Sequence, residues 1–231
     1  MNRYSYESGV QTYQAAPSRA DFLLKTYLTL FGAIVAFVLL EVAMFKSGVA
    51  DQIIAALAGT SWLIVLGAFM VVGWLASQMA HAATSKLAQA AGLALYVVAD
   101  AIIFVPLLWY ANRVAPGVIA SAAIVTLGGF GLLTATVLLT RADFSFLRGV
   151  VFWGFIVALL LIVGSVLFGF QLGMFFSVAM VALAGASVLY STSTILHTYS
   201  EDRYIGAALQ LFADVAIMFW YVLRIFLASR E

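Results

Sequence analysis

The chain has 231 residues, 65% of them hydrophobic and 9% charged, with a net charge of +1 and a mean hydropathy of +1.10. Soluble domains carry about a quarter charged residues, so a water-soluble fold is excluded and a bilayer must cover most of this surface. No basic cluster is present to track phosphates, which removes nucleic acid as a partner, and with no cysteine disulfides and thiolate chemistry are ruled out.

Residues 1–20 read as a polar N-terminal tail, rich in tyrosine and carrying Arg3 and Arg19. They lack the basic-then-apolar order of a cleaved signal peptide. Residues 21–231 read as one membrane domain. A crossing needs about 20 predominantly apolar residues, and seven stretches qualify: 27–44, 61–79, 89–110, 118–139, 150–168, 172–190 and 204–227. The expected fold is an all-α integral membrane bundle of seven transmembrane helices.

Lys and Arg flanking the spans set the orientation. The tail side holds Arg3, Arg19, Lys25, Lys86, Arg141, Arg148 and Arg203; the other side holds Lys46, Arg113, Arg224 and Arg230. Seven against four places the N-terminus in the cytoplasm and, after seven crossings, the C-terminus outside.

Taken in order, the spans carry few polar features. The first holds Glu41 near its outer end, where water is expected to be close. The second has Trp62 at one end. The third holds Asp100 midway and Pro106 beyond it; a proline removes one backbone bond and kinks a helix, freeing the Ile102 carbonyl less than a turn after Asp100. The fourth carries Gly128, Gly129 and Gly131 with Ser121, Ala122 and Ala123, small residues that let helices approach closely in lipid. The fifth leads through a tight Gly169-Phe170-Gln171 turn into the sixth, which closes on the hydroxyl run Tyr190-Ser191-Thr192-Ser193-Thr194, read as a helix terminus. His81 is read as a loop residue, and so is His197 beside Glu201 and Asp202, a weak metal signal because no spacing fixes them on one face.

The seventh span is the most informative. At helical spacing Ala207, Gln210, Asp214, Ile217, Tyr221 and Arg224 form one stripe, and the remaining positions are apolar. Asp214 lies near mid-depth. Arg224 is ten residues later, ~15 Å along the axis, too far to pair with it and free to snorkel to the outer interface. Only Glu41, Asp100, Asp214 and Arg224 are charged within the spans. A charge at membrane depth is costly and is a functional hypothesis by default. Burial disfavours the charged form, so Asp214 needs a partner on another helix, a bound cation or a proton; a protonated, hydrogen-bonded Asp214 is the plain alternative. Two mid-depth acids, Asp214 and Asp100, are what a cation path or proton relay would use. No nucleophile elbow, metalloprotease, P-loop or dinucleotide motif occurs, so no enzyme and no redox or organic cofactor is expected. The absence of an inverted repeat disfavours a small-solute transporter.

Several segments resemble one family. They are Phe22-Leu23-Leu24-Lys25-Thr26-Tyr27, the run 140–147 (TRADFSFL), the turn 167–173 (LFGFQLG), and most specifically 204–214 (YIGAALQLFAD) with 219–225 (FWYVLRI). From about residue 22 to 227 the chain resembles the Bax inhibitor-1 family, most closely its bacterial YccA-like branch. The resemblance implies a seven-helix bundle with the last helix central, a bacterial inner-membrane location and a pH-sensitive calcium leak. It also implies two buried aspartates sharing a proton, one of them latched by an arginine. Asp214 matches one. The other belongs to a motif that here reads Tyr190-Ser191-Thr192, so Ser191 stands at its position, and the second span has no arginine. Coupled titration of two carboxylates cannot occur between Ser191 and Asp214. Calcium takes six or more oxygens, so Asp214 with nearby hydroxyls would be a weak calcium site, one that suits transient passage better than storage. Some bacterial relatives resemble modulators of a membrane-bound quality-control protease, so the alternative expectation is a protease partner, engaged through the tail, with no conduction of its own.

Overall fold

Lipid offers no partner to a backbone N–H or C=O, so each crossing segment must satisfy its own as a helix. The computed structural model describes residues 19–82 and 85–229. Among them the helices are α1 (Arg19–Ser47), α2 (Val49–Leu57), α3 (Trp62–Ala82), α4 (Lys86–Val114), α5 (Val118–Thr140), α6 (Leu147–Phe168), α7 (Met174–His197) and α8 (Tyr204–Ala228). All except α2 are long and apolar enough to cross a membrane. The protein is an integral membrane helical bundle. The expected tail lies outside the described residues up to position 18, and α1 already begins at Arg19.

α2 is an addition to the seven expected crossings, which the other helices supply. Its nine residues are too few to span. It lies on the far face, opposite the tail, between the first two crossings. Gly48 introduces it with φ +79, a left-handed conformation that costs glycine nothing. Trp109 Nε1 donates to Asp51 Oδ1 at 3.0 Å, tying α2 to the end of α4, and the Arg113 guanidinium stacks 3.7 Å from the Trp109 ring centroid. α4 runs through Pro106 as one helix.

α8 occupies the centre. It packs against α1, α3, α4, α5 and α7, and its small and apolar residues, Gly206, Ala207, Ala208, Leu211 and Leu223 among them, are fully or nearly fully buried. α6 is the outlying helix, packed mainly on α7, with Phe152 and Trp153 more than half exposed toward the position of lipid.

The closest helix approach is not where the glycine-rich α5 places it. A Cβ on Gly128 or Gly131 would meet nothing within 4 Å, and one on Gly129 only Met218 Sδ at 3.9 Å. The tight seam is between α3 and α4: a Cβ on Gly92 would lie 2.7 Å from both Ala76 O and Ala80 N. Ala76 and Ala80 are fully buried there. Small residues on both helices therefore set this distance, as expected where packing rather than hydrophobicity drives association.

The tail face is fastened by cations on carbonyls. Arg19 donates to Leu196 O (3.0 Å), to Tyr199 O (2.5 Å) and to Ile195 O, satisfying groups that the end of α7 leaves open. Arg203 donates to His81 O and Lys86 to Asp202 O. In the α5–α6 loop Asp143 Oδ1 accepts the Ser145 N–H at 2.8 Å, which holds its carboxyl below the usual carboxylate range.

Gly92→Ala forces backbone apart and is expected to destabilise the protein by about 1–3 kcal/mol. Gly128→Ala is expected to be neutral or slightly stabilising, since alanine is the better helix former. Thermal unfolding in maltoside detergent, followed by helical circular dichroism, separates the two; equal midpoints would refute the close α3–α4 seam.

Candidate functional site

The central helix brings its polar stripe against α7 on one side and a cavity on the other. Asp214 is 6% exposed. Ser187 Oγ on α7 donates to its Oδ1 at 2.6 Å, the Ser191 hydroxyl faces the same carboxylate, and Oδ2 has no hydrogen-bond partner. Ser187 and Ser191 are four residues apart, so one face of α7 presents both hydroxyls to α8.

From Ser191 a chain of hydrogen bonds runs to the tail face. Gln210 Nε2 donates to Ser191 Oγ at 3.0 Å. Tyr199 donates its hydroxyl to Gln210 Oε1 at 3.2 Å. His81 Nε2 lies 2.9 Å from the same Tyr199 oxygen, and His81 Nδ1 lies 2.8 Å from Ser77 O. Burial pushes the Tyr199 phenol up to about 12 despite the neighbouring Arg203, so at neutral pH it keeps its one proton.

That proton count gives the chain two arrangements. Ser77 O can only accept, so the tautomer with hydrogen on Nδ1 satisfies this contact, with Ser77 Oγ a further 3.3 Å neighbour of Nδ1. In neutral His81, Nε2 is then an acceptor, and the single Tyr199 proton can serve either Nε2 or Gln210 Oε1. When both nitrogens are protonated, Nε2 donates to Tyr199 and Tyr199 donates to Gln210.

His81 and His197 are therefore not loop residues. His81 ends the last turn of α3, and His197 ends α7 with Nδ1 bonded to Ser193 O at 2.9 Å. Nor is the hydroxyl run a helix terminus: Ser191, Thr192 and Ser193 lie inside α7 and are buried. Ser193 Oγ accepts from Phe144 N at 3.0 Å, anchoring the α5–α6 loop. Sequence reasoning did not single out Tyr199 at all, since it lies 118 residues from His81 and only the fold joins them.

Asp100 is 4% exposed, with Oδ2 unpartnered. Tyr96, one turn before it, is close enough to Asp100 and Asp214 to feel both charges. Glu41, expected near the outer end with water close, is 6% exposed and lines the second cavity described below, and neither of its carboxylate oxygens has a hydrogen-bond partner.

Two cavities fill the far half of the bundle, and Asp100 lines both. The first, about 580 Å³, lies among α3, α4, α6, α8 and the α6–α7 turn, and Tyr221 and Arg224 line it near the far face. Arg224 is half-buried rather than free at the interface. It donates to Leu172 O at 3.3 Å, and its guanidinium lies 5.8 Å from the Tyr221 ring centroid. The second, about 560 Å³, lies among α1, α4, α5 and α8 and contains Glu41. Among the described residues no group of three or more His, Cys, Asp or Glu is placed to hold a metal ion. Asp214 with two serines offers fewer oxygens than calcium takes.

The chain is 39% identical over 112 residues to an uncharacterised Pseudomonas aeruginosa protein, PA2604. That match covers 47% of this chain and 49% of the relative, so the chain spans about half the length of the curated relative it matches. The family model described as "Inhibitor of apoptosis-promoting Bax1" matches residues 19–231, across every helix and the whole polar site. With the closely packed central helix and its buried acid, this places the chain in the Bax inhibitor-1 family.

Proposed function

We propose that the protein is a pH-sensitive cation leak, with calcium the foremost candidate ion, and that it works without the paired aspartates of its family's switch. The observation that carries this reading is the line Asp100, Tyr96, Asp214, which leads from a far-side cavity to a hydrogen-bonded plug at the tail face. A cation entering the first cavity meets Arg224 at the rim, whose charge opposes it and keeps passage slow. Beyond the rim, Asp100 and then Asp214 offer carboxylate oxygens in place of lost water. Few oxygens mean weak binding, which conduction requires, since an ion must also leave.

At the tail side a line of hydrogen bonds lies beyond Asp214. Gln210, Ser191 and Tyr199 bond to one another across the end of the path. With one carboxylate in place of two, the sharing of a proton between aspartates is not available. His81 takes over the sensing, because its proton decides whether Tyr199 is held by Gln210 or shared with His81. On the positive-inside rule the tail face is the cytoplasmic one, which would put the sensor in the cytoplasm.

Calcium flux into proteoliposomes from pH 6 to 8 tests the reading. Asp214→Asn is expected to lower flux at least tenfold. His81→Gln is expected to preserve flux while flattening its pH profile, because a neutral amide has no proton to exchange. Tyr199→Phe is expected to shift the profile as well, with a stability loss of about 1 kcal/mol from the missing hydroxyl. No flux above empty liposomes, from protein shown to be folded, overturns the leak and leaves the protease-partner alternative in its place.

A further inference from the structure

The second cavity shares Asp100 with the first but adds a chemistry of its own through Glu41 and Thr126. It lies between α1 and α5, which both pack on α4 and α8 and form its two side walls. Three buried side chains in it have polar atoms without a hydrogen-bond partner: Glu41 through Oε1 and Oε2, Asp100 through Oδ2 and Thr126 through Oγ1. Glu41 is 6% exposed and Thr126 2%. Unpartnered buried polar atoms are rare enough to need an explanation, and ionised carboxylates in an apolar site are costly unless paired.

The rest of the wall is apolar and aromatic. Phe37, Phe45, Phe104, Phe212 and Phe219 line it, with Phe37 and Phe104 edge to face at 5.2 Å. Val38, Val42 and Leu127 on its wall are between 44% and 51% exposed, so the cavity opens sideways, toward the position of lipid. Its volume of about 560 Å³ suits a small organic molecule.

We propose that this cavity binds an amphiphilic organic ammonium: a positively charged amine carrying an apolar body. The amine supplies the positive charge that Glu41 and Asp100 lack, and its N–H groups donate to the free carboxylate and Thr126 oxygens. Phenylalanine faces attract the cation, and the same rings cover the apolar body. A bare calcium ion fits worse, because it needs six to eight oxygens and the phenylalanines offer none. The proposal does not depend on the leak: a ligand can occupy this cavity whether or not ions pass through the other.

Isothermal titration of the full-length protein in maltoside detergent tests it, with empty micelles subtracted. The probe is 4-phenylbutylammonium, and 4-phenylbutanol is its uncharged counterpart. Saturable one-to-one binding of the amine, at least tenfold tighter than the alcohol, is expected. Glu41→Gln is expected to weaken amine binding at least tenfold. Ala123→Phe adds a ring to the cavity wall and leaves both acids in the sequence, and is expected to abolish binding; it decides the matter alone if Glu41→Gln does not fold. Equal affinity for amine and alcohol, or undiminished amine binding by folded Ala123→Phe, overturns the proposal. So does calcium binding that Glu41→Gln removes in the absence of any heat from the amine, which would assign the cavity to a metal ion.

Discussion

The structure depends on one constraint: a carboxylate inside an apolar bundle must be satisfied by the protein itself. An aspartate at mid-membrane costs about 3 kcal/mol on insertion-based scales. Asp214, Asp100 and Glu41 together would cost about as much as the 5–15 kcal/mol by which whole domains are stable. That explains why α8 is central. A helix whose stripe contains Gln210, Asp214 and Arg224 cannot face lipid on that side, so α1, α3, α4, α5 and α7 surround it. It also explains why α7 turns two serines, four residues apart, toward Asp214. The satisfaction is incomplete, because Asp214 Oδ2, Asp100 Oδ2 and both Glu41 oxygens have no hydrogen-bond partner. Asp100 and Glu41, but not Asp214, line cavities in which a ligand or ion would have room to remove that cost.

Ser191 in place of an aspartate alters the chemistry at the plug. A carboxylate there would only accept when ionised, and beside Asp214 it would force the two groups to share a proton. A hydroxyl both donates and accepts. It can face Asp214 while receiving Gln210 Nε2 at 3.0 Å, and Gln210 then passes the connection to Tyr199 and His81. In the proposed leak, the proton-sensitive position would move from mid-membrane to the end of α3. An arginine latch is not needed where there is no second negative charge to hold.

What the sequence made legible, and what it did not, follows from the range of each signal. Apolar runs of about 20 residues are local, so the seven crossings are readable within a few residues, and so is the inward stripe of α8. α2 is not, because VADQIIAAL is too short to span and too apolar to stand out as a surface helix. Glu41 lies close to an end of its apolar run and so reads as solvated; only the packing of α1 on α4 and α8 buries it. The glycines of α5 read as a packing seam because spacing shows where small residues are, not whether a neighbour comes near. Gly92, single and unremarkable in sequence, is the glycine with backbone atoms 2.7 Å from its missing Cβ. The link from His81 to Tyr199 spans 118 residues, and no periodicity within one helix encodes it.

The two halves of the bundle are built differently, and that difference restricts how a path could open. The far half holds both cavities and is already partly hollow. The tail half is closed by two kinds of contact. Arg19, Lys86 and Arg203 clamp helix ends and loop carbonyls; the part-buried Arg19 bonds contribute about 1.5–3 kcal/mol each, and the exposed Lys86 and Arg203 bonds less, because solvent screens them. The Tyr199–Gln210–Ser191 links are neutral hydrogen bonds of about 1 kcal/mol each, one of them as long as 3.2 Å. Separating helices would mean breaking the clamps and unpacking the α3–α4 seam at Gly92. Swinging Tyr199 away from Gln210 breaks one weak bond and leaves every helix in place. The cheaper motion is a side-chain rotation at the plug, and His81 bonds to the same hydroxyl that must move. In the proposed leak, a proton on His81 would bias that rotation without any rearrangement of the bundle.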